Sequence, residues 1–341
     1  MHGNHLLEIH NLSTGFDING KNYNEISNVN LTLEKGEILG VVGESGSGKS
    51  VLSMSILKLL PEKIAKINSG EIKYMGERID QYTNEQLNNI RGKELAMIFQ
   101  EPMTSLNPVF TIGNQLIEMM LLHLNISKKE AKERAIDLLK KVGIPRAQQV
   151  INEYPHQLSG GMRQRVMIAM SISCYPKLLI ADEPTTALDV TVQAQILDLL
   201  KKVQDETDMG VIFISHDLGV IAEICDTVAV MYAGKIVERA SVEEIFNNPK
   251  HPYTKLLLQT IPRLDIKQDK LETIKGSVPS IDKIPSVGCN FYDRCPFAMD
   301  ACATTNLKDI SINEHHKVSC HLYDESISEK GGSITCLMSM Y

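Results

Sequence analysis

The chain has 341 residues, of which 43% are hydrophobic and 23% are charged, and this ordinary globular composition excludes wholesale disorder and collagen-like repeats. At roughly 150 residues per domain, the length indicates two domains or one large domain with an appendage. The net charge of −7 argues against a protein that mainly grips nucleic acid phosphates. No apolar stretch approaches the roughly 20 residues that cross a bilayer, and the first residues lack a secretory signal pattern, so we expect a cytoplasmic protein.

The first part of the chain, to about residue 95, has the patterns of strands separated by turns. We predict strands at 6–12, 27–33, 37–42 and 70–74, and a helix at 50–60 that Pro61 ends. The middle part has helical periodicity, which predicts helices at 112–124, 128–142 and 161–173. An alternation follows, with strands at 178–181, 211–215 and 227–232 and helices at 190–206 and 218–225. Continuous apolar strands between helices indicate an α/β fold with a parallel sheet covered on both faces.

The sequence changes character after Pro249, where prolines become frequent and periodicity is poor. We therefore predict a first domain over residues 1–250, a second region over 251–323, and a tail over 324–341.

The octapeptide GESGSGKS matches the phosphate-loop pattern G-x-x-x-x-G-K-[ST] in full. It lies between an apolar strand and a helix, so backbone N–H groups and the helix N-terminus can face a phosphate. Lys49 would reach the β- and γ-phosphates, and Ser50 would bind Mg²⁺. The predicted nucleotide-binding residues of this segment are Gly43, Glu44, Ser45, Gly46, Ser47, Gly48, Lys49, Ser50 and Val51.

Two carboxylates follow a buried strand farther along the chain. Ligands of open α/β sheets bind at the carboxyl ends of the strands, so Asp182 and Glu183 are placed to act on the same nucleotide. We expect Asp182 to hold Mg²⁺ and Glu183 to orient and polarise the attacking water. Many surface strands end in acids, and only the accompanying phosphate loop makes this pair specific.

A second candidate anion site is the segment Ser159, Gly160 and Gly161, which opens a helix with free amides and a hydroxyl. Taken alone it would be an ordinary serine N-cap. Because the phosphate loop already supplies one cradle, a second one indicates a nucleotide held between two subunits.

In their order along the chain, and together with single residues at fitting places, the three motifs resemble the ATP-binding cassette (ABC) ATPase family. The resemblance implies a phosphate-loop domain with a parallel-sheet core, an antiparallel β part and a helical subdomain at about 101–175. It also implies roles for single residues. Phe16 would stack on adenine, Gln100 would bind Mg²⁺ and sense a transmembrane partner, and His216 would contact the γ-phosphate beside the catalytic Lys49 and Glu183. Asp189, with Ala187 and Leu188, would signal between the two sites.

Further segments are similar to the ATPases of oligopeptide and dipeptide importers, and the similarity extends over residues 5–323. These segments are 100–108, 154–157, 251–254, 288–296 and 318–322. The resemblance implies an ATP-hydrolysing motor subunit of a bacterial importer, peripheral on the cytoplasmic face of the membrane. Its implied partners are a second ATPase subunit, a paralogue, two permeases and an extracytoplasmic peptide-binding protein; nucleic acid is not among them. ATP-dependent dimerisation would drive the permeases.

Four cysteines crowd into the region after residue 280, namely Cys289, Cys295, Cys302 and Cys320. Four thiolates can close around a [4Fe–4S] cluster or a tetrahedral Zn²⁺, and the spacing does not separate the two; free thiols are a third reading. The importer resemblance implies the [4Fe–4S] cluster. Because this region is short and weakly periodic, we expect the cluster to fold it. Cys336 lies outside the pattern and receives no role.

Two other functions share the cassette motifs. An importer of nickel, metallophores or glutathione would have the same motor, and the long cysteine-bearing region favours peptides. A soluble ABC protein of translation or DNA repair commonly has two cassettes or a long insertion, and neither is present here. We also expect the segment 101–108 to dock a permease helix by exposing Met103 and Leu106, together with Phe110.

Overall fold

A computed structural model of the protein describes residues 5–101, 105–186, 188–261 and 274–328. Met103, Ala187, Cys336 and the tail beyond residue 328, all considered above, lie outside these residues. The strands are β1 (His5–Ile18), β2 (Lys21–Glu34), β3 (Ile38–Val42), β4 (Ala65–Tyr74), β5 (Glu77–Arg78), β6 (Leu95–Ile98), β7 (Leu178–Asp182), β8 (Gly210–Ile214), β9 (Thr227–Tyr232), β10 (Lys235–Ser241), β11 (Ile310–Asn313) and β12 (His316–Val318).

The helices divide into those that flank the sheets and a group inserted between β6 and β7. They are α1 (Lys49–Ile56), α2 (Asn84–Ile90), α3 (Ile112–His123), α4 (Lys128–Lys141), α5 (Ala147–Val150), α6 (Gly160–Ile172), α7 (Val190–Thr207), α8 (Leu218–Ile224), α9 (Val242–Asn247), α10 (Pro252–Gln259), α11 (Asp300–Thr304) and α12 (Glu325–Ser328).

A four-stranded antiparallel sheet has the order β2-β1-β4-β5. Its first hairpin turns at Asn19 and Gly20, both of which have positive φ, as a two-residue turn of this hand requires. The prediction ended the first strand at residue 12, whereas β1 continues to Ile18. The hairpin tip is polar and exposed, so its sequence lacks the alternation that marks a half-buried strand.

The large sheet has the order β11-β12-β10-β9-β3-β8-β7-β6. Its central strands from β9 to β6 are parallel, and β3, β7 and β8 are buried at every position, which confirms the predicted parallel core. The other strands are antiparallel, so the sheet is mixed. Glu238 of β10 pairs with Val318 of β12, and through this pairing the chain beyond residue 300 joins the cassette sheet.

The inserted helical group, α3 to α6, agrees closely with the predicted helices because its ends carry clear caps. Thr111 accepts a hydrogen bond from the backbone of Asn114, and Ser127 accepts one from that of Glu130. Apolar residues of these helices, such as Leu116 and Leu139, are fully buried in the larger core cluster. Within the described residues, no helix is both long and apolar enough to span a membrane.

The prediction that Leu106 is exposed was wrong: its side chain is 3% exposed and belongs to the larger core cluster. The physical reason is the mostly buried side-chain amide of Gln115, which makes hydrogen bonds to the backbone of residues 107–110. Its Oε1 accepts from the Asn107 N–H at 2.9 Å, and its Nε2 donates to the carbonyls of Asn107 (3.0 Å) and Phe110 (3.1 Å). These hydrogen bonds fix the loop so that Leu106 points into the core, whereas Val109 (69%) and Phe110 (46%) are exposed.

The substitution Leu106→Ala should therefore lower the free energy of unfolding by about 2–5 kcal/mol, because it opens a cavity in the helical group. The matched variant Phe110→Ala should cost less than about 0.5 kcal/mol, since this ring is half exposed. Urea unfolding of the two purified variants measures the difference. Equal losses would show that Leu106 is not part of the core.

Candidate nucleotide site

The phosphate loop runs from the end of β3 to the start of α1, and close contacts with β9 and the turn after it restrict its backbone conformation. A Cβ on Gly43, where φ is +155°, would lie 2.1 Å from the Met231 carbonyl oxygen of β9. On the far side, the Gly234 N–H donates to the Ser47 carbonyl at 2.9 Å. The loop thus rests against β9 and the turn that follows it, and only glycine fits at position 43.

Lys49 occupies the centre of this loop. Its Nζ donates to the carbonyls of Gly43 (2.7 Å) and Glu44 (3.0 Å), and the side chain is mostly buried. Burial lowers the pKa of Lys49, while the negative charges of Glu183, Asp182 and Glu44 act in the opposite direction. The ammonium is therefore surrounded by acceptors at the position from which it could reach a phosphate.

The two acids at the end of β7 have different surroundings. Asp182 is 3% exposed, and burial raises the pKa of its carboxyl group, against a hydrogen bond that the Ser50 hydroxyl donates to it and the charge of Lys49. Its neighbour Glu183 has φ of +48°, which turns the chain sharply at the strand end. Asp182 thus meets Ser50 at the start of α1, and the Glu183 carboxylate lies between residues that follow β6 and β8.

Three side chains from three different loops hold the Glu183 carboxylate. Gln100, which follows β6, donates through Nε2 to Oε2 at 3.1 Å. The Thr186 hydroxyl donates to the same oxygen at 3.1 Å, and His216, which follows β8, places Nδ1 3.2 Å from Oε1. The carboxyl ends of β6, β7 and β8 therefore bring the predicted residues together, and they add Thr186, which the sequence analysis missed.

The Ser-Gly-Gly segment forms the start of α6, where Ser159 accepts from the Met162 N–H at 3.3 Å and Gly160 faces open space. Gly161 lies beside Leu188, so this segment adjoins the loop before α7. Asp189 caps α7 by accepting from the Val192 N–H at 3.0 Å. Gln164, a residue that sequence reasoning did not select, is buried in α6 and donates to the carbonyl of Pro184, next to Glu183.

Phe16 lies on β1 in the antiparallel sheet, paired with Tyr23 of β2 and Ala65 of β4. Its side chain is partly exposed. It thus belongs to a different sheet from the residues that surround Lys49.

Comparison with known proteins agrees with this architecture. The family described as ABC transporter matches residues 26–186, and the family described as Oligopeptide/dipeptide transporter, C-terminal region, matches residues 237–302. The chain is 50% identical over 325 residues to the oligopeptide transport ATP-binding protein AppD of Bacillus subtilis, covering 95% of this chain and 99% of that one. It is 46% identical over 320 residues to the dipeptide transport ATP-binding protein DppD of the same species, covering 94% and 95%.

The chain belongs to the ATP-binding subunits of oligopeptide and dipeptide ABC transporters. A putative peptide import ATP-binding protein of Brucella abortus is 48% identical over 331 residues, covering 94% of this chain and 98% of that one. Among solved structures, the dimeric ATP-binding cassette MJ0796 bound to ADP and Pi has a TM-score of 0.64 at 27% identity, and covers 69% of this chain and 98% of its own. The chain is therefore an ABC ATPase.

Three of the four cysteines, Cys289, Cys295 and Cys302, lie in the matched C-terminal region 237–302, and Cys320 lies beyond it. Cys289, Cys302 and Cys320 are buried and Cys295 is partly buried. Burial raises the pKa of Cys320 to about 12, and the thiolate charges of Cys289, Cys295 and Cys302 act in the same direction. In the described part of the chain, no group of three or more His, Cys, Asp or Glu side chains is arranged to hold a metal ion.

Proposed function

We propose that this chain is the ATP-hydrolysing motor subunit of a bacterial importer for di- and oligopeptides. The observation that carries the proposal is the Glu183 carboxylate, which Gln100, Thr186 and His216 hold at the sheet edge, close enough to Lys49 for its charge to oppose the burial that lowers the pKa of Lys49. The cargo rests on the relatives, whose names describe oligopeptide, dipeptide and peptide transport.

Each residue of the site would have a separate role in ATP binding or hydrolysis. Lys49 exchanges its two loop carbonyls for the β- and γ-phosphate oxygens, and the N–H groups between Gly43 and Val51 cradle the same phosphates. Glu183 accepts a hydrogen bond from the attacking water and polarises it toward the γ-phosphate, where His216 also makes contact. Because Gln100, Thr186 and His216 fix the carboxylate, it would lose little conformational freedom when the water binds.

The donors near Ser50 fit Mg²⁺, which prefers oxygen ligands. The Ser50 hydroxyl donates to the Asp182 carboxylate, so the two oxygens lie close enough to be ligands of one Mg²⁺; the serine would bind through an oxygen lone pair and keep its proton. We assign Ser50, Asp182 and the amide oxygen of Gln100 as its ligands. When bound, the ion neutralises charge on the phosphate oxygens.

We assign the remaining site residues to the dimer. The open face at Gly160 would receive the γ-phosphate bound to a second ATPase subunit, together with Ser159 and Gly161. Asp189 stands at the junction between this segment and the Glu183 loop, in the place to link the two sites. The partly exposed Phe16 would stack on the adenine base.

The other partners are two permeases and an extracytoplasmic peptide-binding protein, with this subunit peripheral on the cytoplasmic face of the membrane. We propose that the permeases dock on the exposed Val109 and Phe110, on the loop that Gln115 fixes a few residues after Gln100. The cassette would comprise residues 1–250 and the C-terminal region residues 251–323.

We propose that the four cysteines hold a [4Fe–4S] cluster; the support is the importer resemblance, since the described side chains are not arranged around a metal ion. Burial raises the pKa of Cys289, Cys295 and Cys320, and backbone N–H groups of Phe291, Phe297 and Leu322 oppose this by donating to the sulfurs of the cysteines two residues before them. The cluster would supply four iron–thiolate bonds that tie Cys289, Cys295, Cys302 and Cys320 together. A tetrahedral Zn²⁺ is the alternative for the same donors.

Glu183→Gln should lower the ATP turnover rate by about 10²-fold or more and retain ATP binding, because the amide keeps the shape but cannot polarise water. Lys49→Ala should weaken nucleotide binding itself. Glu133→Gln on the exposed face of α4 is the matched control and should change neither quantity. Turnover and nucleotide binding of the purified protein measure both effects; wild-type turnover in Glu183→Gln would refute the assignment.

Phe110→Glu should reduce copurification with the permeases by about tenfold or more, because docking would bury a carboxylate without a partner. The control Ile312→Glu places the same charge on β11, where the native side chain is 37% exposed. Both variants should unfold within about 2 °C of the wild-type protein, since surface changes have small effects. Unchanged copurification of Phe110→Glu would place the docking surface elsewhere.

Protein purified without oxygen should be brown and contain about four irons per chain. Each single Cys→Ser change at positions 289, 295, 302 and 320 should remove the colour, whereas Cys174→Ser, at a buried thiol outside the group, should keep it. Iron and zinc analysis and the visible spectrum provide the measurement. One zinc without iron would change the assignment to a zinc site, and a folded protein with no metal would refute both.

A further inference from the structure

The cysteine-bearing segment contacts the phosphate loop through Arg294, the residue just before Cys295. Arg294 Nη1 donates to Glu44 Oε2 at 2.7 Å, and Nη2 donates to Glu44 Oε1 at 3.0 Å. Two parallel bonds between a guanidinium and one carboxylate fix orientation as well as distance. The Arg294 side chain is only 8% exposed, so solvent screens this ion pair less than it would a surface pair.

Arg294 is also held by its own segment and by β9. Its Nε donates to the Lys275 carbonyl at 2.8 Å, and Nη1 donates to the Tyr232 hydroxyl at 3.3 Å. The guanidinium lies over the rings of Tyr232 and Phe291, 5.6 and 5.9 Å from their centres. These contacts orient the guanidinium fork toward Glu44.

Glu44 is held at three points in turn. Its N–H donates to the Tyr253 hydroxyl of α10 at 2.9 Å, its carbonyl accepts from Lys49 at 3.0 Å, and its carboxylate receives Arg294. Two of these three partners come from the chain beyond residue 250. The first turn of the phosphate loop is therefore fixed by the C-terminal part of the protein, and it in turn holds Lys49.

We infer that Arg294 is a positioning residue for ATP binding, through which the four-cysteine segment controls the shape of the phosphate loop. It touches neither phosphate nor water; it acts through Glu44. The inference rests on the proposed ATPase function. Because Arg294 and Cys295 are adjacent and end the short helical turn Tyr292–Arg294, a displacement of the cysteine moves the guanidinium relative to Glu44.

The test uses the full-length chain with Arg294→Gln, Arg294→Lys, Glu44→Gln and the double variant Arg294→Gln/Glu44→Gln. Binding of a fluorescent ATP analogue and the KM and kcat for ATP are measured. Arg294→Gln should weaken ATP binding and raise KM by about tenfold, with kcat within about threefold, because the ion pair shapes the empty loop rather than the reacting atoms. Arg294→Lys should recover part of this loss, since it keeps the charge but not the fork.

The double variant should be no worse than either single variant, since both remove the same interaction. Arg78→Gln is the matched control: Arg78 makes a comparable fork to Asp80, with bonds of 3.3 and 2.7 Å, away from the phosphate loop. It should leave the KM for ATP unchanged. Cys295→Ser should raise the KM for ATP in the same direction as Arg294→Gln.

Unchanged KM and affinity in Arg294→Gln, with only a lower unfolding temperature, would reduce Arg294 to a structural residue and overturn the inference. Additive losses in the double variant would overturn it as well. If Arg294→Gln does not fold, Glu44→Gln removes the same pair from the loop side and must by itself raise the KM. Absence of ATP turnover in the wild-type protein, or turnover unaffected by Lys49→Ala, would instead refute the proposed function.

Discussion

The site depends on one constraint: the strands β3, β6, β7 and β8 are parallel and buried along their whole length. The carboxyl ends of neighbouring parallel strands lie at the same edge of a sheet, so the residues that follow these strands lie along that edge. The phosphate loop follows β3, Gln100 follows β6, the two acids end β7 and His216 follows β8. Strand pairing alone therefore brings residues that are far apart in sequence close together, and no long loop is needed.

This constraint explains why so much of the site could be predicted. The phosphate loop is contiguous in sequence, and its glycines and lysine identify it without knowledge of the fold. The apolar strands before Asp182 and His216 are equally visible, and parallel pairing then places these residues at the same edge. The helical group was predicted from its helical periodicity, and in the structure Thr111 and Ser127 cap its first two helices at the predicted starts.

The misses share a different cause, because each depends on a contact that local sequence does not encode. Leu106 was predicted to be exposed because its loop contains prolines, but Gln115, nine residues later, turns it inward. Thr186 and Gln164 are ordinary polar residues until the fold places them beside Glu183 and Pro184. The pairing of Arg294 with Glu44 joins positions 250 residues apart. No period or motif of the sequence predicts such a pair.

The cysteine-bearing region packs into the core of the cassette. We expected this region to need a cluster because it buries little core alone, yet Cys289, Phe291 and Cys302 belong to the cassette's larger core. Phe291 packs on Tyr232 and Tyr253, with ring centres 5.0 and 5.3 Å apart.

A second attachment lies at β12, where the His316 Nε2 lies 2.8 Å from the carboxylate of Glu238 in β10 and both side chains are fully buried. The Glu238 carboxylate also accepts hydrogen bonds from the backbone N–H groups of Lys250 and His251, so this buried group has several hydrogen-bond partners. The region thus contacts the cassette at two places: Arg294 pairs with Glu44 of the phosphate loop, and His316 contacts Glu238 of β10. These contacts, rather than a metal, account for how the described part of this short region is held against the cassette.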